Sequence, residues 1–210
     1  MADHHCDLLV IGAGASGASV AYEAIRRGLS VAILEAGDIG GGTSCRSTKL
    51  LHGGVRYLEL AFKTLDLAQL QLVREALMER GHWLRTAPFL ADRLELVLPT
   101  KNWFDKTYYG LGLGLYDALS GKTGLGHSRR LSRDELIQAL PQLCPRQGGV
   151  AYSDGQFDDA RLNLLLALTA EQGGATLRRS CRVIGFERNP DGQLRAAISE
   201  TTTGQRERWV

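Results

Sequence analysis

Cys6-Asp-Leu-Leu-Val-Ile-Gly-Ala-Gly-Ala-Ser-Gly17 is the stretch that decides the fold. Leu8 to Ile11 is a short apolar run closed by glycine, the pattern of a strand buried on both faces in a parallel sheet. The glycine turn follows at once. A helical stretch then runs from about Ser16 to Arg27 and ends at Gly28. Ser30-Val-Ala-Ile-Leu-Glu35 reads as a second apolar strand with an acid at its end. Strand, glycine turn, helix and strand in this order predict a doubly wound α/β domain. Each piece has a physical task. Gly12 permits the tight turn, Gly14 lets backbone approach a pyrophosphate, and Gly17 lets helix and strand pack closely. The helix start, from Ser16, offers unpaired N–H groups and partial positive charge to phosphates. Glu35 stands where a carboxylate accepts hydrogen bonds from an adenosine ribose. A carboxylate there disfavours a 2′-phosphate, so the nucleotide is FAD or NAD rather than NADP.

The following loop bears on that choice. Asp38-Ile-Gly-Gly-Gly42 is a flexible turn, and Thr43-Ser-Cys-Arg-Ser-Thr48 offers hydroxyls suited to a pyrophosphate and a ribityl chain. The run continues as Lys49-Leu-Leu-His-Gly-Gly-Val-Arg-Tyr-Leu-Glu59, which gathers a lysine, a histidine, paired glycines and an arginine. A histidine whose ordinary pKa lies near neutrality can accept a proton from a bound substrate. An anionic substrate is met by Arg or Lys. His52 and Arg56 have the right chemistry for those tasks. A packing or flavin-contacting histidine, an Arg56–Glu59 surface pair and a half-buried core Tyr57 are the structural alternatives.

Gly12 to Gly17, Glu35 and Ser47 to Glu59 together resemble the FAD-dependent glycerol-3-phosphate dehydrogenases of the glycine/D-amino-acid oxidase superfamily. Tyr152-Ser-Asp-Gly-Gln-Phe-Asp-Asp-Ala-Arg-Leu162 resembles a second stretch of that family. The resemblance runs from about Asp7 to the last residue. It implies FAD as cofactor, sn-glycerol 3-phosphate as substrate, dihydroxyacetone phosphate as product and a quinone as acceptor. It places the ADP half of FAD on Gly12, Gly14, Ser16, Gly17 and Glu35. Thr43, Ser44, Ser47, Thr48, Lys49 and Leu50 would line the pyrophosphate and flavin. His52, Gly53 and Gly54 would lie near the isoalloxazine, with Arg56 and Tyr57 on the substrate side. Val183 would give a backbone contact to the adenine. Cys45 departs from the small hydroxyl residue usual there. A flavoprotein oxidase of an amine or another hydroxy acid is the alternative, disfavoured by the charged Lys49–Arg56 segment. A non-catalytic FAD-binding fragment is the third reading.

The implied fold is a Rossmann-like FAD-binding domain with a parallel sheet, a helical insertion and a small antiparallel meander, incomplete relative to the family. The expected segments are 1–60 for the dinucleotide motif and flavin loop, 61–148 for a mostly helical insertion, and 149–210 for a strand–helix–strand return and meander. Within them, apolar spacing predicts one helix from about Lys63 to Thr86, interrupted at Gly81 and ended by Pro88. Leu94 to Pro99 and Gly149 to Ser153 read as strands, and Ser132-Arg-Asp-Glu135 as a capping box. Leu140 to Pro145 reads as a turn. Trp103 to Leu119 reads as a helix packed inside the insertion, too interrupted by charge to span a bilayer. Asp158-Asp159 start a helix whose inward face is Leu162, Leu165, Leu166 and Thr169. Asn189-Pro-Asp-Gly192 and Thr203-Gly204 mark hairpin turns. The first five residues read as a mobile extension.

Composition sets the outer limits. The chain has 210 residues, 44% hydrophobic and 23% charged, with formal net charge +2, which is ordinary globular material. No basic stripe points to nucleic acid. Cys6, Cys45, Cys144 and Cys181 lack metal-ligand spacing, so no metal site is expected and reduced thiols are. Gly121-Lys-Thr-Gly124 lacks the upstream glycine of a phosphate-binding loop for ATP. No basic, apolar leader pattern opens the chain. A cytoplasmic protein is expected, peripheral on the inner face of a membrane if the resemblance holds, with room for a homo-oligomer. The substrate half of the family pattern is missing from these residues. The 210-residue chain alone is therefore expected to have exposed sheet edges, weak FAD binding and little turnover.

Overall fold

A computed structural model describes residues 2–64, 66–143 and 147–210, and leaves the side chains of residues 56 and 61–63 outside that description. In chain order the first elements are β1 (Ala2–His4), β2 (Leu8–Ile11), α1 (Ala15–Arg26) and β3 (Val31–Leu34). Then come β4 (Leu50–Leu51), α2 (Val55–Thr64), α3 (Leu67–Thr86), β5 (Ala91–Pro99), α4 (Trp103–Ser120), β6 (Arg129–Leu131) and α5 (Arg133–Ala139). The last are β7 (Gly149–Phe157), α6 (Asp159–Gln172), β8 (Thr176–Arg178), β9 (Cys181–Arg188), β10 (Leu194–Thr201) and β11 (Arg206–Trp209). By compactness the chain divides into two units. The first is Met1–Thr48 with Asp158–Val210; the second is Lys49–Phe157. This partition runs by packing, where the segments 1–60, 61–148 and 149–210 ran by sequence.

In the first unit β2, β3 and β8 form a parallel sheet with β3 in the middle. All four residues of β3 are buried, as a strand covered on both faces requires. One face packs Val10, Val31 and Ile33 against Ala21 and Ala24 of α1 and Ala170 of α6. α1 buries only alanines (Ala18, Ala21 and Ala24), so its axis can approach the sheet closely. The other face packs Ala32 and Leu34 against Cys181, Ala197 and Trp209. These belong to a second sheet of order β1-β11-β10-β9, antiparallel from β9 to β11. The hairpin turns at Asn189–Gly192 and Thr201–Gly204 are both present, each closed by a backbone hydrogen bond.

Two expectations for this unit need correction. The N-terminal residues are not a mobile extension. β1 pairs in parallel with β11, the His4 ring stacks on Trp209 at 4.4 Å, and Asp3 meets Arg208 at 3.0 Å. Ala-Asp-His carries no strand pattern of its own, so a partner distant in sequence decides the conformation. The buried face of α6 is Asp159, Leu162, Asn163, Ala167 and Ala170, whereas Leu165 is exposed. Two polar residues thus occupy the inward stripe of this helix.

The second unit is built on the antiparallel sheet β4-β7-β5, with β6 also on β7. β7 runs on past Ser153 to Phe157, and so carries Asp154 into the interior. Leu58, Val73, Leu77 and Tyr116 knit α2, α3 and α4 into one core. The single helix expected over 63–86 is two helices. Asp66 caps α3 by accepting from Ala68 N at 2.9 Å and Gln69 N at 3.4 Å. Leu65, expected within that helix, lies outside the described residues. Gly81 does not interrupt α3. A Cβ there would lie 2.5 Å from Thr123 Cβ, so glycine lets the Gly121–Thr123 turn press on the helix. α4 buries Leu113, Tyr116 and Ser120 but leaves Trp103, Phe104, Tyr108 and Leu111 exposed, so it is packed on one face only. The Ser132–Glu135 capping box starts α5 with both reciprocal bonds made. The expected turn over 140–145 falls partly on residues outside the description, Cys144 among them.

Candidate cofactor site

The glycine turn has the geometry its sequence requires. Gly12 has φ +100°, in the left-handed region that side chains avoid, and its N–H donates to Leu34 O at 2.8 Å. A Cβ on Gly17 would stand 2.0 Å from Gly12 O. The residue before α1 is Gly14, which has no side chain to cap the helix. Ala15 N donates to Ser44 Oγ at 2.8 Å. Among the described residues the Gly14, Ser16 and Gly17 N–H groups meet no acceptor. A helix start left in this state presents donors that suit an anion.

Glu35 is anchored rather than loose. Its Oε2 accepts from Ala13 N at 2.8 Å and its Oε1 from Gly37 N at 2.8 Å. Each carboxylate oxygen keeps a second lone pair, enough to accept a ribose hydroxyl. The carboxylate therefore both braces the turn and faces it with acceptors.

The hydroxyl loop is bound to the same unit. Thr43–Cys45 forms a single 3-10 turn. Arg46 Nη1 donates to Gly41 O at 2.6 Å and Gly42 O at 2.8 Å, so this arginine holds the loop's own backbone. Ser47 donates from N and Oγ to Asp159 Oδ2, at 3.0 and 2.6 Å. Thr48 is exposed. Asn163, one turn along α6, donates from Nδ2 to Ala13 O at 2.9 Å. Asp159 and Asn163 were absent from the expected site. A signal for the first exists in Asp158-Asp159: Asp158 caps the helix through Arg161 N at 3.0 Å, which leaves its neighbour to another donor. Val183 is half-buried in β9 against the Ala32–Leu34 face, opposite Ser199.

The remaining expected residues lie in the second unit. Lys49 has φ +58° and its carbonyl accepts from Phe157 N at 3.0 Å. Leu50 pairs with Gln156. His52 is exposed, and its Nδ1 accepts from Gly54 N at 3.1 Å. A neutral ring with that bond carries its proton on Nε2, which makes the outer nitrogen a donor. The stretch after Gly54 is not loop. α2 begins at Val55, so Arg56 and Tyr57 are helical, in its first turn. The Arg56 side chain is outside the description. Tyr57 is half-exposed, its ring against Gly54.

Beneath Gly53 is a buried polar network that the sequence did not announce. Gly53 N donates to Tyr116 Oη at 2.6 Å, and that hydroxyl donates on to Asp154, with oxygens at 3.1 and 3.2 Å. Asp154 also receives Arg80 Nη1 at 2.8 Å; both side chains are at most 2% exposed. Arg80 Nη2 reaches Ser120 Oγ at 3.2 Å. Burial pushes the Asp154 carboxyl upward, while the Arg80 guanidinium and the Tyr116 hydroxyl pull it back. Burial, reinforced by the Asp154 charge, pushes the Tyr116 phenol far above its ordinary value. A Cβ on Gly53 would lie 2.5 Å from the Leu77 side chain and 2.9 Å from Tyr116 Oη, so only glycine fits against this network.

With this geometry in view, the sequence matches the family described as FAD dependent oxidoreductase over residues 7–210. The chain belongs to that family. It is 42% identical over 207 residues to the mitochondrial glycerol-3-phosphate dehydrogenase of Homo sapiens, covering 95% of this chain and 28% of that protein. The corresponding mitochondrial enzyme of Arabidopsis thaliana is also 42% identical, over 95% of this chain and 33% of its own length. The chain thus spans about a third or less of the curated relatives it matches. Among solved structures it is similar to the glycerol-3-phosphate dehydrogenase of Bacillus halodurans complexed with FAD. The TM-score is 0.69 at 26% identity, over 97% of this chain and 32% of that one. The L-alpha-glycerophosphate oxidase of Mycoplasma pneumoniae, at 17% identity and TM-score 0.69 over 98% of this chain and 52% of that one, shares the fold.

FAD, the cofactor family membership implies, finds a fitting donor set in the first unit. Three N–H groups at an uncapped helix start suit a pyrophosphate, and an anchored carboxylate suits a ribose. Among the described residues no helix is long and apolar enough to cross a membrane.

Proposed function

We propose that this chain holds FAD on its first unit and serves the oxidation of sn-glycerol 3-phosphate to dihydroxyacetone phosphate, with electrons passed to a quinone. The observation that carries the reading is the Glu35 carboxylate bonded to Ala13 N beside a helix start where, among the described residues, the Gly14, Ser16 and Gly17 N–H groups meet no acceptor. The substrate follows the relatives' names, supported by 42% identity over 95% of the chain. Gly12, Gly14, Ser16, Gly17 and Glu35 hold the ADP half. Ser44 and the Ser47–Leu50 segment serve the pyrophosphate and flavin, with Thr43 in the same loop. Gly53 borders the flavin ring, and Val183 supplies an adenine contact.

When bound, FAD supplies the redox step by accepting a hydride from the alcohol carbon. The chain's own groups bind and orient. Arg56 offers a guanidinium to a dianionic phosphate. His52 offers Nε2–H as a hydrogen-bond donor, given the Nδ1 bond to Gly54 N. Tyr57 adds a phenol on the substrate side. Contact with a membrane is peripheral, at its inner face.

The test combines an FAD titration, followed by flavin fluorescence, with dye reduction on a substrate panel. Saturable FAD binding is expected, with any reduction confined to glycerol 3-phosphate and absent with glycine, proline or lactate. A chain that takes up no FAD, or one reduced by an amine, overturns the reading.

A further inference from the structure

Asn163 is a buried polar side chain at the glycine turn, and the nucleotide reading assigns it nothing. It is 2% exposed. Its Nδ2 donates to Ala13 O at 2.9 Å, and Gly40 N donates to the same oxygen at 3.0 Å. Ala13 N–H is held by Glu35 Oε2 at 2.8 Å. The backbone around Ala13 is therefore fixed from both sides by groups distant in sequence.

The consequence follows from peptide geometry. Ala13 C=O and Gly14 N–H belong to one planar peptide group, which is trans. In a trans peptide these two bonds point in opposite directions. Drawing Ala13 O toward α6 turns Gly14 N–H away from α6, and that N–H has no acceptor among the described residues. Without the Asn163 bond Ala13 O keeps only the Gly40 N–H, and the peptide is freer to tilt because Gly14 tolerates many backbone conformations. Four residues before Asn163, and on the same buried stripe, Asp159 holds Ser47 of the hydroxyl loop. The two side chains of α6 thus fix two separate segments of the cofactor site. Gly40 also presses on Asn163: a Cβ there would lie 3.0 Å from Nδ2.

We infer that Asn163 is a positioning residue for the dinucleotide: it holds the Ala13–Gly14 peptide so that Gly14 N–H is aimed at a phosphate before the ligand arrives. The inference rests on the proposal that the first unit binds FAD. Preorganised donors spare the ligand an ordering cost, so affinity should change beyond what the lost buried hydrogen bond does to stability.

The test measures FAD and ADP affinity, together with thermal unfolding of the ligand-free protein, for wild type, Asn163→Ala and Asn163→Asp. Asn163→Ala should weaken FAD and ADP by the same factor, about tenfold, a loss larger than its modest drop in ligand-free melting temperature accounts for. Asn163→Asp keeps the side-chain volume. A protonated Asp can still donate to Ala13 O and an ionised one cannot. Burial at this site raises the carboxyl above its ordinary value, so its FAD affinity, taken relative to wild type at each pH, should approach wild type as pH falls toward about 5 and drop toward about pH 8. Leu165→Ala, an exposed change on the same helix, should leave affinity unchanged. Wild-type affinity in Asn163→Ala, or a flat relative pH profile in Asn163→Asp, overturns the inference alone. A loss of affinity that only tracks a lowered melting temperature overturns it too. Wild-type protein that binds neither FAD nor ADP overturns the nucleotide reading and this inference with it.

Discussion

The two units bury polar groups for opposite ends. In the first, half-buried Glu35 and buried Asp159 and Asn163 spend their hydrogen bonds on backbone and loop atoms, and among the described residues the Gly14, Ser16 and Gly17 N–H groups at the helix start are left open. In the second, Arg80, Asp154 and Tyr116 bond mainly one another, and a single N–H, that of Gly53, is drawn into their network. Arg80 also reaches Ser120 and Ser153 O, and its Nε meets no acceptor among the described residues. The first arrangement shapes a surface for an anion. The second fixes a glycine pair from below. Buried polarity therefore says little by itself; what matters is whether the bonds close on themselves or stop at an open donor.

Breaking the closed network should cost most. Arg80→Met leaves Asp154 buried without its cation and should lower stability by about 3–5 kcal/mol in urea unfolding. The pH dependence sharpens this. Burial already raises the Asp154 carboxyl, and removal of Arg80 deletes an opposing pull. A carboxyl with a raised folded-state pKa favours the fold below its unfolded value, and that contribution is lost as pH climbs through the folded value. Arg80→Met should therefore be more stable at about pH 5 than at about pH 8, its deficit against wild type growing with pH. A deficit independent of pH would mean that Asp154 is not the group left behind.

Gly17→Ala comes next. Its Cβ would meet Gly12 backbone at 2.0 Å, so about 3 kcal/mol and most FAD binding should be lost together. Tyr116→Phe should cost about 1–2 kcal/mol by stranding Gly53 N–H. Glu35→Gln should show the contrast most directly. FAD affinity should fall about tenfold while stability moves by no more than about 1 kcal/mol. If Glu35→Gln destabilised as much as Arg80→Met, the distinction between the two units would fail.

The glycine turn, α1, β3 and the carboxylate of Glu35 were legible because each rests on short-range cues. Turn glycines, an apolar run and an acid at strand end act within a few residues of one another. The break at Asp66 was hidden because apolar residues continue across it at helical spacing, and a capping aspartate looks like any surface acid. α2 was hidden because Arg56, Tyr57 and Glu59 read as chemistry before they read as a helix. Arg80 finds its partner 74 residues away, and Asn163 its own 150 residues away. No local pattern marks either. β1 is the same case in backbone form, a strand only because β11 lies beside it. Ser47 shows the limit within the site itself: its hydroxyl suits a cofactor by type, yet it is bonded to Asp159.

The chain leaves the first unit after Thr48 and re-enters it at Asp158. At the departure Ser47 is bonded to Asp159, and just beyond it Lys49 O accepts from Phe157 N. Each side of the crossing is thus sewn shut by its own residues. A segment with joined ends behaves as a cassette. During synthesis all the strand partners of residues 49–157 emerge before β8, on which β3 depends. A designer could cut the cassette out and bridge Thr48 to Asp158 with a few residues, leaving the nucleotide cradle to fold around a short turn.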